Sequence, residues 1–174
     1  MGGQRVVLGL GALLVVLLLA IGITTLVRDD GADDLTRAAA PWLAGDDLTD
    51  AHREVAAAAE KETLAFLEVD YRDMEPLMQA VLDGATGDFA KQYAERQELL
   101  VEQAEKNKSV SSGKVVALGV GELDDDSALV YVAADSQVQN VNTGGTAQPR
   151  YYRLQLDLVR EGDRWLTSNV QFVG

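Results

Sequence analysis

Asp70, Asp73 and Glu75 are close enough in sequence for one carboxyl to hold a proton while a neighbour accepts one, the arrangement that general acid–base chemistry requires. Asp124, Asp125 and Asp126 form a second acidic run whose oxygens suit a hard cation. Each group also has a plainer use. Asp70 and Asp73 flank Tyr71 and Arg72 at the start of a helical pattern, where acids cap the helix and pair with the adjacent cation. A calcium loop spaces its oxygens over about 12 residues with an internal glycine and a late glutamate, and that pattern is missing here, so the aspartates read as a polar hairpin tip. His52 is the only histidine, so a histidine-dependent triad has nothing to build on. Cysteine is absent, which excludes disulfides, thiol nucleophiles, thiolate metal sites and a lipid-acylated cysteine. Gly84 and Gly87 are spaced as a helix end and a helix start, and Gly144-Gly145 lacks a following lysine and helix, so no phosphate cradle is indicated. The sequence therefore assigns no catalytic residue, no cofactor and no metal site.

These residues sit in a chain of 174 with a formal charge of −13. Arg5 is the only charged residue before Arg28, so the acidity lies beyond the first stretch of chain. Such a surface repels phosphate backbones and anionic headgroups, and nucleic acid is not an expected partner. Val6 to Val27 is an uncharged run of 22 residues, and at about 1.5 Å per residue it crosses a hydrocarbon core of roughly 30 Å. We read residues 1–5 as a cytoplasmic N-terminus, 6–27 as an uncleaved transmembrane helix, 28–48 as an acidic linker and 49–174 as one extracytoplasmic domain. That makes a single-pass protein of the cell (inner) membrane.

Within the domain, Thr49 or Asp50 caps a first amphipathic helix reaching Leu67. A second runs from Asp73 to Leu82, with Pro76 in its first turn and Gly84 as a left-handed C-cap. A third, capped by Thr86, continues to about Asn107, with Phe89, Tyr93, Leu100 and Ala104 on one arc. The period then changes to two. Strands are expected at Gly113–Leu123, Ala128–Val138, Arg150–Arg160 and Arg164–Val173, joined by hairpin-like turns. Three helices followed by an antiparallel meander make an α+β domain, with the helices on one face of a curved sheet. Phe66, Phe89, Tyr93, Tyr131, Tyr152 and Trp165 are the candidates for packing, or for lining a pocket, between helices and sheet.

The segments "EKETLAFLEVDYRDMEPLM" from Glu60, "LDGATGDFAKQY" from Leu82 and "RYYRLQLDLVREGDRWLTSNVQFVG" to Gly174 occur in that order behind an apolar N-terminal run. Together they resemble the mammalian-cell-entry (Mce) associated membrane proteins of actinobacteria. The resemblance implies a cone-shaped domain like nuclear transport factor two, of cystatin-like topology, similar to the outer domain of VirB-type secretion assembly proteins. It also implies a non-catalytic scaffold role beside Mce lipid-import complexes, with Mce-complex proteins and related membrane subunits as partners. Tyr71, Arg72 and Asp88 are the candidate partner contacts, and a homodimer is left open. Two other functions stay in play: a small-ligand or lipid binder, or an enzyme, using the cone pocket; and a secretion-channel assembly protein.

Overall fold

The computed structural model describes residues 49–173. The expected membrane helix at 6–27 and the linker at 28–48 lie outside the described residues. Among the described residues, no helix is long and apolar enough to cross a membrane.

The described chain is an α+β domain. Helix α1 (Asp50–Leu67) begins at Thr49, whose side chain accepts from the His52 amide. The inward stripe of Val55, Ala59, Thr63 and Phe66 is buried. A two-residue strand β1 (Val69–Asp70) leads to α2 (Met74–Gly84), α3 (Gly87–Ala94) and α4 (Gln97–Asn107). Four strands follow: β2 (Val110–Leu123), β3 (Ser127–Gln139), β4 (Gln148–Glu161) and β5 (Arg164–Phe172). They form one antiparallel sheet in the order β1-β2-β3-β4-β5, so each strand pairs with its neighbour in sequence. Alternation places Val130, Val132 and Ala134 of β3 and Tyr152, Leu154, Leu156 and Leu158 of β4 on the helix-covered face.

Four local features differ from expectation. The third helix is two helices, α3 and α4, because Arg96 takes φ −109° and ψ 1°, outside helical geometry. The Arg96 amide there turns back to the Tyr93 carbonyl, a tightened three-residue bond at 3.1 Å. Gly84 is the last residue of α2 and not a left-handed cap. Between these two helices the left-handed glycine is Gly87, at φ +58°. Thr86 precedes α3 but makes no side-chain cap; its hydroxyl donates to Glu161 Oε1 at 2.6 Å. Strand β1 was not expected, and it ties the α1–α2 turn to the start of β2 through the pairs Val69–Ser111 and Asp70–Val110.

Candidate functional site

Under the helices the sheet is lined by an aromatic seam. Phe66 of α1 meets Phe89 of α3 with ring centroids 6.0 Å apart, and Phe89 meets Tyr93 at 6.2 Å. Phe172 of β5 closes the seam, 6.4 Å from Phe66 and 5.8 Å from Tyr152. Four of the six aromatic candidates therefore come together, joined by a fifth ring near the chain's end. Burial pushes the Tyr93 phenol up to about 12, with the nearby Glu62 charge adding to the effect, and burial raises Tyr152 as well.

The other two candidates lie elsewhere. Tyr131 falls on the outer face of β3, 47% exposed, because the register that turns Val130 and Val132 inward turns Tyr131 out. Trp165 is buried at the start of β5, under the Arg160 guanidinium at 5.9 Å. With Ala51, Leu123, Asp124, Asp125, Asp126 and Arg160 it lines an open cleft of about 560 Å³. The backbone of the aspartate run closes its hairpin: the Asp124 amide donates to the Ser127 carbonyl, and Asp126 accepts from the Arg160 amide. No group of three or more metal-ligating side chains occurs among the described residues.

Tyr71, Arg72 and Asp88 stay at the surface or half-buried. Asp70 accepts from Arg72 Nε at 2.7 Å and Nη2 at 2.5 Å, and the Arg72 guanidinium lies 5.9 Å from the Tyr71 ring. These bonds hold the Asp70 carboxyl below the usual range and raise Arg72. An acid pinned in its ionised form by a neighbouring arginine is poorly placed to carry a proton. The Tyr71 amide donates to the Ser109 carbonyl at 3.0 Å, so this turn is a seam between helix layer and sheet. His52 takes part in the α1 cap, with Nδ1 2.6 Å from Thr49 Oγ1.

One acid was not anticipated. Glu62 of α1 is 2% exposed, and neither carboxyl oxygen has a hydrogen-bond partner. Burial pushes it up to about 8, with Lys61 opposing the shift weakly. Its spacing held the signal, since Val55, Ala59, Glu62 and Phe66 follow the inward stripe of a helix. Gly84 makes room for it: a Cβ at Gly84 would lie 1.9 Å from Glu62 Oε2. Next to Gly84, Ala85 bridges to Thr167 of β5, whose hydroxyl is also buried and unpartnered.

Residues 41–174 match the profile of the family described as "Uncharacterized protein Rv1363c/MT1408-like". The chain belongs to that family. It is 31% identical over 118 residues to the Mycobacterium tuberculosis protein Rv1363c, a match covering 68% of this chain and 45% of that one. The chain thus spans less than half the length of this relative. Among solved structures, it is similar to the periplasmic domain of DotI, with TM-score 0.58 and 14% identity over 74% of this chain and 99% of that one. It is also similar to an IcmL-like type IV secretion system protein from Legionella pneumophila, with TM-score 0.56 and 15% identity, covering 70% and 91%. A third is CagV, a VirB8 homologue from Helicobacter pylori, with TM-score 0.54 and 6% identity, covering 70% and 97%. At these identities the likeness is one of fold alone, and the fold expected from VirB-type outer domains is the one found.

Proposed function

We propose that the protein is a non-catalytic assembly subunit, anchored in the cell membrane through residues 6–27, whose extracytoplasmic domain works by binding other subunits of an envelope complex. The observation that carries this reading is the shared fold with DotI, the IcmL-like protein and CagV, the last two described as type IV secretion system proteins. The helix-covered face of the sheet supports it too, because Phe66, Phe89, Tyr93, Tyr152 and Phe172 pack against one another there. Contact with partners is then left to the sheet edges, the outer face around Tyr131 and Tyr151, and the Tyr71–Arg72 turn.

Within this reading, assembly of a secretion-type channel has the support of the structural likeness. A second version, an accessory subunit of an Mce-type lipid importer, has the support of the Asp70-Tyr71-Arg72, Gly84–Phe89 and Asp163–Leu166 segments and their order in the chain. Affinity purification from native membrane with a C-terminal tag separates the two. Secretion ATPases and channel subunits would establish the first version, and Mce proteins with their permeases the second. A chain recovered alone would overturn the proposal. Alanine at Asp73 or Asp135 is expected to leave complex formation and activity intact, and a folded, partner-binding variant that abolishes activity would contradict the non-catalytic role.

A further inference from the structure

The α2–α3 corner, Asp83–Gly87, is held to the sheet by few bonds. The Thr86 amide donates to the Thr167 carbonyl at 2.9 Å, the Thr86 hydroxyl reaches Glu161, and Arg164 donates to the Asp83 carbonyl. Through Ala85 the corner covers β5 at Thr167, and β5 is an edge strand of the sheet. Directly beneath it lies the Glu62 carboxyl, without a partner and in contact range of Gly84.

We infer that Glu62 is a proton-operated latch: the neutral carboxyl seats under Gly84 and lets the corner cover the β5 edge, and loss of its proton lifts the corner and bares that edge to an extended partner segment. Only the last step, capture of a partner strand by backbone hydrogen bonding, rests on the function proposed above. The geometry explains why charge is not tolerated in the closed state. The inward positions of the sheet are uncharged: Ser111, Val115 and Leu118 of β2, Val130, Val132, Ala134 and Ser136 of β3, Leu154, Leu156 and Leu158 of β4, and Thr167 and Val170 of β5. Tyr93 of α3 and Tyr152 of β4 are the titratable groups of the interior, and both stay neutral because burial raises them. Lys61, the nearest cation on α1, is exposed, as is Asp83 on α2, and Arg164 of β5 is engaged with the Asp83 carbonyl. A carboxylate formed here has no hydrogen-bonded partner to offset its burial, and Gly84 of the corner lies directly against it.

Hydrogen exchange on the full chain in detergent tests this without a partner. Wild type and Glu62→Gln are compared at about pH 6 and about pH 9.5, so that intrinsic exchange rates cancel. At the higher pH, segments 82–90 and 164–172 are expected to exchange faster in wild type than in Glu62→Gln by a factor roughly ten times that shown by the β2–β3 hairpin, and at the lower pH equally. Gly84→Ala supplies a second variant, since its Cβ takes the carboxyl's seat. It is expected to open the corner already at about pH 6, and adding Glu62→Ala is expected to close it again. A wild-type to Gln ratio that does not change with pH, or a change spread evenly over the domain, overturns the latch, as does a Gly84→Ala corner protected like wild type. Such a result leaves the partner-binding reading standing, whereas a chain purified without partners removes that reading and leaves the latch intact.

Discussion

Glu62 and Asp70 are eight positions apart in sequence and carry the same chemical group, yet their surroundings move them in opposite directions. Glu62 has left water without gaining a hydrogen bond, so its charged form is disfavoured. Asp70 stays in water and accepts from both the side chain and the backbone amide of Arg72, so its charged form is favoured. The difference comes from the end of α1. A helix delivers Glu62 to the inner stripe, and the chain leaves that helix at Glu68, so Asp70 falls in a surface turn. Which acids can respond to pH is therefore set by where the helix stops.

Substitutions on the two sides should separate by size. The buried side is most sensitive at the aromatic seam, where Phe89→Ala is expected to cost about 3–5 kcal/mol in denaturant unfolding. A loss below about 1 kcal/mol would mean that the seam is not packed as described.

Glu62 comes next, and its effect has a sign. Its folded value of about 8 exceeds the usual 4.5, so between those values the folded state holds a proton that the unfolded state has released. Its contribution is full below 4.5, declines as pH rises, and is lost above about 8, amounting to about 2–4 kcal/mol after relaxation of the site. Glu62→Gln is expected to flatten urea midpoints across this window and to be more stable than wild type at about pH 9. A wild-type profile that is flat across that window would erase the contrast between the two acids.

The exposed pair is expected to respond least. Asp70→Asn breaks an ion pair at the surface, and its unfolding midpoint near neutral pH is expected to match wild type within error. A clear loss there would show that the Tyr71–Arg72 turn holds the helix layer to the sheet through its side chains as well as through the Tyr71 amide.

Strict alternation from Tyr152 to Leu158 made β4 readable in the sequence, because a half-buried strand leaves that period and no other. Pro76 marked the first turn of α2 for an equally local reason, its missing amide hydrogen. The break at Arg96 was hidden because the apolar spacing of Phe89, Tyr93, Leu100 and Ala104 runs straight across it, and spacing does not register one residue leaving helical geometry. Glu62 was obscured by its own letter. A glutamate on an inner stripe reads as polar, and only the fold shows that the opposing position is a glycine and that neither carboxyl oxygen has a hydrogen-bond partner. Gly84 was misread in the same way: its lack of a side chain serves a neighbour from another helix and not its own backbone. Tyr131 depended on strand register, and Phe172 lies beyond the part of β5 where the alternation is regular.

The pairing of β1 with β2 also bears on the order in which the chain folds. Strands β2 to β5 are consecutive hairpins that can zip from their turns, but Ser111 reaches the Leu67 carbonyl across 44 residues, a closure that pays no return until both ends exist. The meander is therefore expected to form first and the α1–β1 segment to dock onto it late. Ser111→Ala, which removes the 2.7 Å bond to Leu67, should then speed unfolding several-fold and leave the refolding rate nearly unchanged in stopped-flow measurements. For a domain whose helix layer docks last, the life of the native state is set by the contacts that hold that layer down, the β1 pairing and the Ser111 bond among them, and the speed of folding by the hairpins beneath it.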